Sequence, residues 1–427
     1  MGTVLLMAAK PDLWQSIGVV TTSVVLGLRV VPSGLASQSL PAPSKCFRHS
    51  VESDKTIMTK TADKPAGCVI ALEEAFLHPK LRELYPTSWV KILDLVEGRL
   101  SDVGHERIRR MDAAGIDLQV LSHVQPGVQT LDRDTAIRLS KEVNDWLGGV
   151  IKEHPTRFAG FAMLPTQSPE DAADELQRTV AKFGFKGALI NGHTKGRYLD
   201  DASFSPILER AQALDVPLYI HPTDPPQAIM DIYYKDYPAL MQSWGWQVET
   251  GTHLLRLMSG GVFDRYPHLK VIVGHMGELI PFSLKRINTA LTMGNWLLAS
   301  QSKDTESADR KGMQNSVFHY MRENVFITTS GVFDQAALNC AIAELGIEHV
   351  LFSVDDPFGD NFEAVEFLNK AQLSQEDKEK LAHGNAERLL KLLPETSSRR
   401  GTSRSVFSFK AKIKAKLARK LLSLFVK

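Results

Sequence analysis

Four side chains of metal-ligand type stand at or near the ends of short apolar runs: Glu73 in CVIALEE, His221 in VPLYIHP, His275 in KVIVGH and Asp355 in HVLFSVD. Carboxylate oxygen and imidazole nitrogen together suit zinc, manganese or iron, with magnesium the least suited beside imidazole. Each residue has a plainer reading when taken singly. A histidine in such a place is more often a hydrogen-bonded structural group, and Asp355 also stands where it would cap the turn before Pro357. Four of them in equivalent places argue for one shared site. Glu278, three residues after His275, is spaced to reach back to the imidazole, fixing its tautomer and raising its basicity for proton transfer. It is equally a candidate cap for the following helix. Arg286, eleven residues beyond His275, offers a planar fork to a substrate carboxylate, and a surface ion-pairing role fits its spacing as well.

The segments that must position these groups read as parallel strands separated by crossover helices. Apolar or β-branched runs bounded by turn residues lie at 68–74, 118–123, 158–164, 187–191, 216–222, 270–275, 325–330 and 349–355. Helical patterns fall at 134–154, 168–183, 204–214 and 335–345, the second opening with the start signature Ser168-Pro169-Glu170-Asp171. Eight such strands imply an α/β protein built as a (β/α)8 TIM-type barrel. Its active site would lie at the C-terminal strand ends, where the first, fifth, sixth and eighth strands bring Glu73, His221, His275 and Asp355 together. No glycine-rich phosphate loop follows any of the strands, which disfavours an open nucleotide-binding sheet.

The chain has 427 residues, 43% hydrophobic and 23% charged, which excludes a collagen, a coiled coil, wholesale disorder or a polytopic membrane protein. Three scattered cysteines, Cys46, Cys68 and Cys340, cannot form a disulfide framework or a thiolate zinc site and fit a reducing compartment, so a cytoplasmic location is expected. The net charge of +1 hides an asymmetry. Residues 67–396 carry 45 acidic against 33 basic side chains, whereas 397–427 carry ten basic side chains and no acid. Three regions follow: an N-terminal extension at 1–66, the barrel at 67–396 and a basic tail at 397–427. An acidic body excludes nucleic acid as a natural partner. In the tail, Phe409, Ile413, Leu417 and Leu421 form an apolar stripe at helical spacing, suited to peripheral contact with a membrane or to packing on the barrel. The apolar stretch Leu13–Leu28 is interrupted by polar residues and is shorter than the roughly 20 residues a spanning helix needs. It reads as a signal or anchor segment or as a plain extension, and Met58 is an alternative start. Tyr233, Tyr234, Tyr237, Trp244 and Trp246 crowd one segment, as a pocket wall or a subunit contact.

The runs ALEEAF (71–76), GFKGALIN (184–191), LYIHP (218–222), GVFDRYPHLKVIVGHMGE (261–278), RIN (286–288), FITTSG (326–331) and LFSVDDPF (351–358) resemble the non-oxidative aromatic acid decarboxylases of the amidohydrolase superfamily. Fungal 2,3-dihydroxybenzoate and salicylate decarboxylases are the most similar branch, with γ-resorcylate decarboxylase nearby. The resemblance covers about residues 67–393 and neither extension. It implies that Glu73, His221 and Asp355 hold one divalent ion, zinc or manganese with magnesium as a third option, and that no organic cofactor is used. It also implies that His275 and Glu278 form a catalytic pair beside Asp355, that Arg286 binds substrate, and that the enzyme is a homodimer or homotetramer. Hydrolytic members of the superfamily have His-x-His where this chain has Glu73-Glu74-Ala75, which disfavours a binuclear hydrolase. Ala75 resembles the 2,3-dihydroxybenzoate branch, since the resorcylate branch usually has His there.

The implied substrate is a small ortho-hydroxybenzoic acid, and its chemistry sets what the site must do. Direct loss of CO2 would strand an aryl carbanion that cannot conjugate with the ring. Protonation of the ipso carbon first, driven by the ortho oxygen, lets C–C cleavage restore aromaticity. Asp355 is the candidate acid and His275 with Glu278 the alternative donor or relay. Two rival readings remain open: a metal-dependent hydrolase of a lactone or amide, and a non-catalytic barrel held at a membrane by its tail.

Overall fold

The structure, a computed structural model, describes residues 67–85, 93–301 and 313–392, with the backbone alone over 295–301. The extension at 1–66 and the basic tail at 397–427 lie outside the described residues. The strands are β1 Ile70–Phe76, β2 Leu118–His123, β3 Phe158–Gly160, β4 Ala162–Met163, β5 Ala188–Asn191, β6 Leu218–His221, β7 Val271–Val273, β8 Val325–Thr328 and β9 Val350–Leu351. The main helices between and after them are α1 His105–Ala114, α2 Arg133–Glu153, α3 Pro169–Phe183, α4 Ser205–Leu214, α5 Trp246–Ser259, α6 Ile280–Gln301, α7 Val317–Glu323, α8 Gln335–Leu345 and α9 Asn361–Lys370.

Every paired strand is parallel to its neighbour and follows sequence order, β1 to β3 in one ladder and β4 to β9 in the other. Only Phe161 separates β3 from β4, so the third predicted strand shears from pairing with β2 to pairing with β5. The predicted strand at 349–355 shortens to two residues for a physical reason. The Ser353 N–H donates to Thr329 Oγ1 (3.0 Å) and the Val354 N–H to Glu74 Oε1 (3.0 Å), so side chains take the donors that a ladder would use. Alternate strand residues, among them Ile70, Leu72, Leu118, Val120, Tyr219 and Leu351, fill one inner cluster. Their neighbours face the helices in a second, larger one.

The ends of this order are joined by hydrogen bonds other than a strand ladder. Ala75 N–H donates to Asp356 O (2.8 Å) and Glu73 N–H to Ser353 Oγ (2.8 Å). The Glu74 carboxylate, fully buried, also accepts from Asp356 N (3.2 Å), Gln119 Nε2 (3.1 Å) and Ser353 Oγ (3.3 Å). Burial, then the neighbouring Asp356 charge, pushes the Glu74 carboxyl up to about 8, against the pull of the backbone donors and Arg107. Arg107, itself fully buried, donates to Ala75 O, Arg99 O and Asp102 O and lies 3.6 Å from Asp356 Oδ2. Arg99 pairs with the other oxygen of Asp356 at 2.7 Å. Glu74→Ala leaves the Val354 and Asp356 N–H groups without their acceptor and is expected to cost about 2–5 kcal/mol in denaturant unfolding. Glu366→Ala, in an exposed pair with Lys370 on α9, is expected to stay within about 0.5 kcal/mol. Equal effects in the two variants would show that the seam is held by other contacts.

Candidate metal and proton-transfer site

Glu73 does not end its strand as expected, because β1 continues to Phe76. What turns it inward is a register shift against β2, where Ala71 pairs with Gln119 but Glu74 with Leu121. The extra residue in β1 lets consecutive side chains, Leu72 and Glu73, both serve the barrel interior, while Glu74 faces the seam. His221 ends β6. Asp355 follows β9 in the left-handed region at φ 73°. The chain after β7 makes a left-handed turn, with φ 49°, 56°, 82°, 54° and 64° at His275, Met276, Gly277, Glu278 and Leu279. Such a conformation costs a non-glycine residue roughly 1 kcal/mol or more. It is held by Gly277 N–H to Gly274 O (2.8 Å), His275 N–H to Ser330 Oγ (3.1 Å) and the bond between the His275 and Glu278 side chains.

Ligand atoms of Glu73, His221 and Asp355 all lie within 4.8 Å of one another. Glu73 Oε2 is saturated, accepting from the hydroxyls of Tyr219 and Ser330, with Thr328 Oγ1 at 3.4 Å. Glu73 Oε1 is buried and receives no hydrogen bond. His221 Nε2 stands 3.1 Å from it. His221 Nδ1 lies 2.8 Å from Pro222 O, and since a carbonyl only accepts, Nδ1 carries a proton and Nε2 is the nitrogen left to serve as a ligand. A buried carboxylate oxygen facing an imidazole nitrogen is an arrangement that a divalent cation satisfies in place of a proton, and the Asp355 carboxylate completes an O,N,O set. Gly274 makes room for it, because a Cβ there would meet Glu73 Oε2 at 2.7 Å and Oε1 at 3.1 Å.

The second His/Glu pair faces the same point. His275 Nδ1 lies 2.8 Å from Glu278 Oε1, and its Nε2 is 3.8 Å from Glu73 Oε1 and 3.9 Å from Asp355 Oδ2. Burial opposes the His275 cation, but the charges of Glu278 and Glu73 and the Asp355 contact outweigh it and hold His275 well above the usual imidazole range. Burial works against the Glu73 charge too, yet His275 and His221 hold its carboxyl down to about 2. At Asp355 burial wins, and its carboxyl sits above the usual range despite His275. Two carboxyl groups of one cluster are thus driven in opposite directions.

His275 and Glu278 also line a cavity of about 790 Å³ walled by Pro222, Trp246, Leu279, Phe282, Val332 and Cys340 among others. Trp246 of the aromatic segment stands in that wall and donates to Asp224 Oδ1 (3.0 Å). Tyr234 is buried, and Tyr233, Tyr237 and Trp244 are exposed. Arg286 lies on the exposed side of α6 and does not line the cavity, so the structure does not bring it to the other five residues. Sequence reasoning missed the hydroxyl cradle of Tyr219, Thr328 and Ser330. The available signal was a polar group at an inward position of LYIH and three successive hydroxyls in FITTS.

The amidohydrolase family profile matches residues 97–392, and the chain belongs to that family, whose solved members share the TIM-barrel fold. The γ-resorcylate decarboxylase of Polaromonas sp. (strain JS666) is 38% identical over 304 residues, covering 70% of this chain and 90% of its own. Decarboxylase orsB of Emericella nidulans is 35% identical over 341 residues, covering 76% and 97%. Among solved structures, 5-carboxyvanillate decarboxylase from Novosphingobium aromaticivorans, complexed with manganese and 4-hydroxy-3-methoxy-5-nitrobenzoic acid, matches with TM-score 0.71 and 33% identity over 78% of this chain and 98% of that one. These relatives are decarboxylases, and the chain is an enzyme of that carbon–carbon lyase class, as its resemblance to the superfamily's aromatic acid decarboxylases implied.

The cradle yields a direct expectation for metal binding. Tyr219→Phe removes one of the donors that saturate Glu73 Oε2 and should weaken manganese binding about tenfold in a chelator competition. Gly274→Ala, which pushes on the same carboxylate, should weaken it further while the unfolding midpoint stays near wild type. Unchanged affinity in both variants would exclude Glu73 as a ligand.

Proposed function

We propose that this chain catalyses the metal-dependent, non-oxidative decarboxylation of an ortho-hydroxybenzoic acid, 2,3-dihydroxybenzoate-like, to the corresponding phenol or catechol and CO2. The observation that carries this reading is the O,N,O cluster, the single one among the described residues, faced by a carboxylate-buttressed imidazole 3.9 Å from Asp355. Ala75 stands where a hydrolase of the superfamily would supply a further metal histidine, and it pairs with Ser122 of β2. The relatives support the substrate class. One is named for γ-resorcylate, and another holds a ring whose hydroxyl lies ortho to a planar nitro group of carboxylate shape.

Glu73, His221 and Asp355 would hold a divalent ion, manganese or zinc, which would supply Lewis acidity to orient the acid and lower the phenol pKa. The chain's own residues handle the proton. Asp355 delivers it to the ipso carbon, the carboxyl C–C bond then breaks, and its electron pair returns to the ring as CO2 leaves. His275, its Nδ1 fixed by Glu278, restores the proton to Asp355. Arg286 is assigned to the substrate carboxylate, a role that requires approach to the site from the exposed side of α6. We further assign the enzyme to the cytoplasm as a homo-oligomer, in keeping with its three scattered cysteines and the exposed apolar side chains Ile232, Tyr233, Trp244 and Phe282. No helix among the described residues is long and apolar enough to cross a membrane, and the basic tail is left as a peripheral membrane contact.

Purified full-length enzyme should release CO2 from ortho-hydroxybenzoates, lose the activity on chelation and regain it with manganese or zinc. Asp355→Asn should lower the rate by at least about a hundredfold to a thousandfold. Hydrolysis of a lactone or amide without CO2 release would replace the decarboxylase by a metal-dependent hydrolase.

A further inference from the structure

One more polar side chain, at the end of the strand beside His221, has a buried oxygen with no hydrogen-bond partner among the described residues. Asn191 ends β5 and pairs in register with His221 at the end of β6. Leu189 and Tyr219, two residues earlier on the same strands, both belong to the inner cluster. With side chains alternating along a strand, Asn191 therefore leaves the sheet on the face from which His221 meets Glu73, about 5 Å away across the sheet. Its backbone is fixed on both sides by one amide. Gln129 Nε2 donates to Asn191 O (3.1 Å) and Gln129 Oε1 accepts from Asn191 N–H, while Gln129 Nε2 also reaches Thr194 Oγ1 (3.2 Å).

The side chain contrasts with this. Asn191 is only 4% exposed, and its Oδ1 is buried with no hydrogen-bond partner among the described residues. A buried carbonyl oxygen without a donor is costly unless a ligand supplies one. Gly127, at φ 58°, keeps the space beside the amide, since a Cβ there would come within 3.2 Å of Asn191 Nδ2. The result is an unpaired acceptor on a fixed backbone, one strand away from the metal-type cluster.

We propose that Asn191 is a specificity-determining residue, its Oδ1 accepting a hydrogen bond from a second, protonated hydroxyl on the ring of the acid. The inference rests on the decarboxylase reading. The carboxylate and the ortho oxygen that take part in the reaction are acceptors, and Oδ1 would repel them. A ring hydroxyl outside that pair is a donor and is matched. The site then favours dihydroxybenzoates over salicylate, because an acid lacking the second hydroxyl leaves the buried oxygen unpaired.

The test compares kcat/KM for 2,3-, 2,4- and 2,6-dihydroxybenzoate and salicylate in wild type, Asn191→Ala and Asn191→Ser, with bound metal and unfolding midpoint measured on each. Wild type should prefer one dihydroxy acid, and both variants should lose that preference roughly tenfold or more while salicylate turnover stays within about threefold. Equal losses on all acids, or no loss, overturn the assignment. If wild type releases CO2 from none of them, the decarboxylase reading fails, and calorimetric binding of the same acids to manganese-loaded protein decides Asn191 separately. A dihydroxy preference that vanishes in Asn191→Ala supports the contact, and equal affinities in the two proteins remove it.

Discussion

Two pairs of consecutive carboxylates, Glu73-Glu74 and Asp355-Asp356, meet where the first and last strands join, and the fold and the site both depend on keeping them compensated. One member of each pair faces inward and the other outward. The extra residue in β1 and the left-handed backbone at Asp355 accompany this division. On the outer side, Glu74 accepts four donors and Asp356 is paired with Arg99 and Arg107. Polar groups buried this deeply are tolerated only with such partners, and removing one strands the others. On the inner side, His221 and His275 face Glu73 and Asp355. The seam that joins the barrel's ends is therefore continuous with the shell that sets the ligand geometry, and stability and function share residues one position apart.

Inside that frame the division of labour follows from hydrogen bonding. Hydroxyl groups from β6, β8 and the turn after β8 occupy one oxygen of Glu73 and leave the other bare, so the carboxylate presents a single ligand atom. The Pro222 carbonyl fixes the His221 tautomer. Glu278 does the same for His275, whose Nε2 lies 3.9 Å from Asp355 Oδ2. On the proposed reading, one ion with an adjacent proton relay suits protonation of a ring carbon better than activation of water between two metals.

Much of this was legible in the sequence because parallel strands covered on both faces read as uninterrupted apolar runs. All eight such runs contain strand, and α8 spans the predicted 335–345. The polar residues that end those runs stood out for the same reason. What escaped depends on relations between strands. Nothing in ALEEAF says that a register shift turns Glu73 inward and Glu74 outward. The last strand is short because Thr329 and Glu74, distant in sequence, take its backbone donors. Tyr219 and Ser330 acquire meaning only when β1, β6 and β8 are in register. Asn191 ends the run GALIN as plainly as His221 ends its own, but an amide is not a metal ligand and was passed over. Spacing placed Arg286 near His275 along the chain without revealing that its helix turns it to the exposed side.

The most direct measurement is a manganese titration of the metal-depleted full-length chain, followed by electron paramagnetic resonance, beside the same titration of Glu73→Gln. One ion per chain in wild type, with binding lost in the variant, is the expected result. Two ions per chain, or one that Glu73→Gln binds as tightly as wild type, would contradict the single Glu73–His221–Asp355 site.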